Sequence, residues 1–273
     1  MGSRLRGRLR PLALFLVVGI ALGPPRADLE VNCNRGTGKD AIADCTEVIR
    51  RNPQNAIAYF NRGFIHGELG EFDSAIADLT RAIEFNPNFA SAYHTRGFVY
   101  DDKGEYERAI VDYTRAIEID PQFARAYNSR GVTYRAKGDI DRAIADYTKA
   151  LELNPTDADV YNNRGAAYRV LGAYDLSIAD HTKAIQIDPN FANAYCNRAA
   201  SYFGAGKPAQ GLRDAQKSLE LRPSHVATLV MRGTIFEALG RREEAIGDLR
   251  QALSLYPEGR KAKEALKRLR ALP

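Results

Sequence analysis

Hydrophobic and polar positions recur along this chain with a period of 34 residues. Pro53, Pro87, Pro121, Pro155, Pro189, Pro223 and Pro257 keep that spacing without a slip. Tyr59, Tyr93, Tyr127, Tyr161 and Tyr195 keep it too, as do Gly70, Gly104, Gly138, Gly172, Gly206 and Gly240. Each period holds two apolar stretches of helical spacing. In residues 124–157, Tyr127, Gly131 and Tyr134 fall at i, i+4 and i+7, one face of a first helix. Ala143, Ile144, Tyr147, Ala150 and Leu151 make the apolar face of a second. Gly138 ends the first helix in a backbone conformation that glycine tolerates best, and Pro155 stops the second. Neither helix can bury its face alone, so the pattern predicts stacked antiparallel pairs in an all-α solenoid.

Six full units follow: 56–89, 90–123, 124–157, 158–191, 192–225 and 226–259. Their length, the aromatic/Gly/aromatic triplet, the Ala series Ala75, Ala109 and Ala143, and the terminal Pro closely resemble the tetratricopeptide repeat (TPR) family. The resemblance implies a right-handed TPR solenoid of antiparallel helix pairs. Units five and six drift: Ala199 replaces the repeat glycine, Gly211 and Ser218 replace alanines, and Pro208 is expected just before a second helix. Residues 260–273 read as a basic C-terminal capping helix, with Ala262, Ala265, Leu266 and Leu269 toward the last unit. Its cations serve solubility, with contact to an anionic lipid or cell-wall polymer as the alternative.

Residues 28–55 align as an N-terminal half-repeat. Gly36 takes the place of Gly70, and Ala41, Ile42 and Asp44 take those of Ala75, Ile76 and Asp78. "GTGKD" lacks the length and the Ser/Thr of a phosphate-binding loop. Cys45 takes the place of Leu79, on the face an absent first helix would cover, and Cys33 lies where that helix would end. A Cys33–Cys45 disulfide folding the N-terminal strand back over this face is the expectation.

The formal net charge is +5, and it belongs to Arg4, Arg6, Arg8, Arg10 and Arg26. The rest of the chain is neutral overall, which gives no electrostatic footprint for nucleic acid. Residues 1–27 read as a signal peptide: a basic start, then "PLALFLVVGIAL", shorter than the roughly 20 apolar residues of a membrane span. The protein is therefore expected to be exported, periplasmic or secreted, with an uncleaved anchor as the alternative. Membrane contact is expected only through this leader or the C-terminal helix.

Candidate chemistry is sparse. His66, His94, His181 and His225 share no ligand spacing, and the carboxylates recur only because the repeat does. His66 and His181 read as packing residues, His94 faces the groove, and His225 lies in a turn. No catalytic residue, metal or cofactor is expected, so the chain is read as non-enzymatic. Cys196 reads as a small groove-lining residue. Two series stand out: Arg62, Arg96, Arg130, Arg164, Arg198 and Arg232, and, sixteen residues on, Asp78, Asp112, Asp146, Asp180, Asp214 and Asp248. They are expected to form partly buried ion pairs, with arginines displayed to an anionic partner as the alternative.

The resemblance also implies which first-helix positions line the concave surface. Here these supply Phe60, Phe64 and Phe98 at one end. Further along come Asn61, Asn128, Asn162, Asn163 and Asn197, with Arg125, Arg135 and Arg169. The Lys/Asn clamp by which family members grip chaperone C-termini is absent, since the ninth positions are Phe64, Phe98, Val132, Ala166, Ala200 and Thr234. Asn61, Asn163 and Asn197 partly match the ladder of peptide-binding TPR superhelices, which Thr95, Ser129 and Met231 interrupt. The expected partner is a protein or peptide held in the groove. A purely structural or oligomerising module is the other class.

Overall fold

The computed structural model describes residues 32–33 and 38–271. The predicted signal peptide, Gly36 and residues 272–273 lie outside them. Among the described residues the regular structure is helical throughout. The half-repeat contributes α1 (Gly38–Arg51). Six pairs follow: α2 (Ala56–Glu68) with α3 (Phe72–Phe85), α4 (Ala90–Asp102) with α5 (Tyr106–Ile119), α6 (Ala124–Ala136) with α7 (Ile140–Leu153), α8 (Ala158–Val170) with α9 (Tyr174–Ile187), α10 (Ala192–Gly204) with α11 (Pro208–Leu221), and α12 (Val226–Ala238) with α13 (Arg242–Leu255). The last helix is α14 (Arg260–Ala271). Each packs on its chain neighbours, and the first helices of successive units also touch, as in a solenoid.

Turn chemistry sets the helix ends. At the end of α6, Gly138 has φ +84°. Its N–H donates to the Arg135 carbonyl at 3.0 Å, and the Asp139 N–H donates to the Tyr134 carbonyl at 2.9 Å. That is the Schellman arrangement, which satisfies carbonyls the helix leaves open. Asp139 then caps α7 by accepting from the Arg142 N–H. Pro208 is the first residue of α11 rather than the one before it, where its missing N–H has no helical partner to lose.

The repeat glycine of each first helix is a packing device. A Cβ at Gly131 would lie 2.8 Å from the Tyr147 ring, and one at Gly165 would lie 2.8 Å from the His181 ring. The second-helix aromatic therefore sits directly on the first-helix backbone. In unit five both sides change together: Ala199 stands for the glycine, and the facing residue shrinks to Ala215.

The ends of the stack are closed differently. Asn32 and Cys33 are helical, not a strand, and Cys33 and Cys45 form a disulfide with Cα atoms 4.7 Å apart over the buried face of α1. At the other end α14 occupies the register of a seventh first helix. Its Ala262, Ala265, Leu266 and Leu269 join Leu229, Phe236 and Leu249 in one core cluster. Lys267 holds the place of the repeat glycine and is exposed. No described helix is long and apolar enough to cross a membrane. In the half-repeat, the positive-φ glycine among described residues is Gly38, two places after the aligned Gly36, at the first position of α1.

Candidate functional site

The first helices carry two sets of arginines with opposite fates. The seventh residue of every unit is an arginine bonded to the aspartate sixteen residues on. Arg130 donates from Nε to Asp146 Oδ2 and from Nη2 to Asp146 Oδ1, both at 2.8 Å. The same fork joins Arg62 to Asp78, Arg96 to Asp112, Arg164 to Asp180, Arg198 to Asp214 and Arg232 to Asp248. These arginine side chains are 16–23% exposed and the aspartates 5–10%. Burial opposes the Arg130 charge, but its hydrogen bonds to Asp146 and the attraction of that carboxylate together outweigh burial and raise its pKa. Arg130 also lies against the rings of Tyr127 and Tyr134 at 5.7 and 5.9 Å, an arrangement that favours a cation.

A threonine of the preceding unit completes the clamp in units one to five. Arg130 Nη1 donates to Thr114 Oγ1 at 3.0 Å, and Arg62, Arg96, Arg164 and Arg198 do the same to Thr46, Thr80, Thr148 and Thr182. This series repeats every 34 residues but was not singled out from the sequence, because nothing in one unit shows that its threonine meets the next unit's arginine. In unit six Gln216 stands at the threonine place and no such bond forms to Arg232. The ion pairs thus lie within units, and the threonines tie units together.

The concave set behaves otherwise. Phe60, Phe64 and Phe98 line a cleft of about 530 Å³ between α2, α4 and the start of α6. Arg125, expected further along the groove, lines this same cleft, with His94, Phe123, Glu68 and Asp102. Phe64 and Phe98 are 45% and 53% exposed, a large apolar surface left to water. His94 packs at a tilt against the rings of Tyr113 and Phe123, and one ring nitrogen meets Ser129 Oγ at 3.0 Å. Burial, then the nearby Arg125 charge, pushes its pKa down to about 4, so it is neutral.

The asparagines are not simply displayed. Asn163 donates to Asn128 Oδ1 at 3.2 Å, and Asn197 donates to Asn162 Oδ1 at 2.9 Å. Each bond runs from the sixth residue of one unit to the fifth of the unit before, a register created by stacking. The four groove amides are therefore already linked between repeats, and each bond uses one donor and one lone pair, a quarter of a pair's capacity. One carbonyl lone pair on each acceptor and one N–H on each donor remain, as do the Asn128 and Asn162 amino groups and the Asn163 and Asn197 carbonyls. Asn61 is half-buried on α2, outside both pairs.

Arg135 and Arg169 sit on the inner wall beyond the ladder. Neither has a carboxylate partner among the described residues, and the Nε of each is buried without an acceptor. Arg169 adds to burial in lowering the His181 pKa to about 3. His181 is fully buried against Gly165, as expected of a packing residue, and both its ring nitrogens lack partners. His66 does more than pack: its Nδ1 meets Glu71 Oε2 at 2.5 Å. His225 caps the start of α12 and bonds Thr228 at 2.6 Å. Cys196 is 8% exposed at the groove floor. No group of three His, Cys, Asp or Glu among the described residues could hold a metal ion.

Family profiles described as tetratricopeptide repeat match residues 56–89 and 158–191, 79–111 and 196–260, and one described as TPR repeat matches 100–135 and 131–172. No curated protein matches the chain. Among solved structures, a tetratricopeptide repeat protein from Parabacteroides merdae is 25% identical, with TM-score 0.70, over 89% of this chain and 96% of that one. YrrB, described as a TPR protein with an unusual peptide-binding site, is 23% identical, with TM-score 0.57, over 68% and 95%. The Cut9-Hcn1 assembly is 17% identical, with TM-score 0.74, over 88% of this chain, which spans about half (48%) of that one. The profiles follow one another along the same units whose helix pairs, glycine seats and closed ends are seen in the fold, and the chain belongs to the tetratricopeptide repeat family.

Proposed function

We propose that this repeat scaffold is non-enzymatic and holds an extended peptide segment of a partner protein on the concave face of units one to four. The observation that carries this reading is the contrast between the two arginine sets. Every seventh-position arginine is matched by an aspartate, whereas Arg125, Arg135 and Arg169 face the groove with no carboxylate partner among the described residues. A buried donor without an acceptor is uncommon in a finished structure and calls for a ligand oxygen. A carboxylate suits it, because its charge strengthens the bond and its two oxygens fit the guanidinium fork. The remaining donors and acceptors of Asn128, Asn162, Asn163 and Asn197 suit backbone amides and carbonyls, which every extended chain presents. The cleft of Phe60, Phe64 and Phe98 suits a bulky apolar side chain.

The ligand so described combines an acidic and a large apolar residue. We read the protein as exported; the basic and apolar leader and the Cys33–Cys45 disulfide support that reading. Selecting a displayed library of random 16-residue peptides (about 16, enough to span four units) on the protein from residue 28 onward tests the function. Enriched sequences should pair acidic with bulky apolar positions. Arg135→Gln should weaken a selected peptide about tenfold, the loss of one charge-assisted bond. No enrichment, or affinity indifferent to Arg135→Gln and to Phe98→Ser, would refute the groove.

A further inference from the structure

The concave face changes character a second time, at its C-terminal end. In units three to five the fifth and sixth positions are Asn128 and Ser129, Asn162 and Asn163, and Cys196 and Asn197; in unit six they are Val230 and Met231. The second position changes from Arg125, Asp159 and Asn193 to Ala227. The ion pair of unit six is kept, since Arg232 still holds Asp248 with the same fork. The switch at the second, fifth and sixth positions therefore leaves the Arg–Asp pairing of the unit intact. There the chain forms a cleft of about 590 Å³ between α8, α10, α12 and the start of α14, with Val226, Ala227, Val230 and Met231 among its walls. Ala227 is exposed, and Val226, Val230 and Met231 are half-buried, packed on the core on one side and open on the other.

Arg169 and Lys261 border this cleft, and neither has a carboxylate partner among the described residues. Its one acid, Glu258, is already bonded to Lys263 at 3.1 Å. The cleft is therefore apolar inside and positive at its edge, complementary to an apolar residue next to an acidic one.

Resting on the peptide-groove reading above, we propose that this cleft is a second anchor subsite, which takes a bulky apolar side chain of the same bound segment. The groove then reads an acidic centre, held by Arg135 and Arg169, flanked by two apolar anchors. The two clefts are centred about four units apart. With successive first helices about 10 Å apart and about 3.3 Å per extended residue, the anchors are separated by on the order of ten residues. A segment with a single anchor would leave one cleft to water.

The random 16-residue library (about 16 residues, longer than the anchor spacing) panned on the wild-type protein and on Ala227→Glu tests this. Ala227 is exposed, so the variant should melt like wild type. Sequences enriched on wild type should carry apolar residues on both sides of an acidic one. Those enriched on Ala227→Glu should keep the acid and one apolar position and lose the other. The wild-type consensus peptide should bind Ala227→Glu about tenfold more weakly, an effect of about 1.4 kcal/mol. Lys261→Glu, which only reverses a surface charge at the rim, should weaken the same peptide in the same direction. A single apolar position, unchanged between wild type and Ala227→Glu, would overturn the second subsite and leave the groove standing. No enrichment on wild type would overturn the groove itself, and the second subsite with it.

Discussion

At the scale of single residues, the position of a charge decides what it does. Asp146 is 6% exposed and its fork from Arg130 is its charge partner. Arg130→Leu alone should lower stability by about 3 kcal/mol, because it leaves a buried carboxylate uncompensated. Adding Asp146→Leu should recover most of that loss, since a well-packed apolar pair often matches a buried ion pair. Urea unfolding of the two variants measures both; a neutral Arg130→Leu would show that the pair is more solvated than its geometry indicates. His181 makes a different prediction. Its folded pKa, about 3, lies below its ordinary 6.5, so below pH 6.5 the unfolded chain takes up a proton that the folded chain refuses. Stability therefore falls as pH falls, and the loss is complete only near the folded pKa. Tyr113 and Tyr147 fill the same place in other units, so His181→Tyr should fit. It should flatten the loss between pH 7 and 4.5 by about 2 kcal/mol. Parallel pH–stability curves for wild type and variant would contradict this.

At the scale of elements, the helix pair is set by one close approach. The glycine of the first helix and the aromatic or leucine of the second form an interlocking pair: Gly63 with Leu79, Gly97 with Tyr113, Gly131 with Tyr147, Gly233 with Leu249. Gly131→Ala should destabilise by about 1–3 kcal/mol despite alanine's better helix propensity, because overpacking against a ring that cannot withdraw outweighs it. A higher melting temperature for Gly131→Ala would reverse that ranking. The glycine was legible in the sequence as a site of close backbone packing. Its partner was not, because the second helix offers several apolar positions and only the crossing of the two helices selects Tyr147. The threonine bridges were hidden for the same reason one level up, between units rather than within one.

At the scale of the whole molecule, a solenoid is stabilised by nearest neighbours, so its ends are its weak points. The disulfide acts at one such end, where Cys45 is completely buried. Reduction, or Cys45→Ser, should remove about 3 kcal/mol of loop-closure stabilisation from the cap. Hydrogen exchange should speed up in α1 and fade along α2 and α3, with α7 and α8 unaffected. Equal acceleration in every unit would mean that the stack unfolds as one body. Groove chemistry also belongs to this scale. No single unit contains the apolar cleft, the asparagine pair and the unmatched arginine together; they form one surface only because six units stack.

The amino-acid order alone determined the repeat length, the helix pairs and their boundaries. First helices begin at Ala56, Ala90, Ala124, Ala158, Ala192 and Val226, the first residue of each unit read from the period. Those features arise from contacts within about 34 residues, and every unit restates them, so one sequence carries them several times over. The arginine–aspartate series was legible for the same reason. Tertiary structure alone decided which polar groups of the concave face are paired. Stacking offsets neighbouring units so that Asn163 meets Asn128 and Asn197 meets Asn162, brings Arg125 to the phenylalanines, and leaves Arg135 and Arg169 without a carboxylate partner among the described residues. A period shows that positions are equivalent; which of them touch depends on the angle and rise between units, and that geometry is set by packing of side chains far apart in the chain.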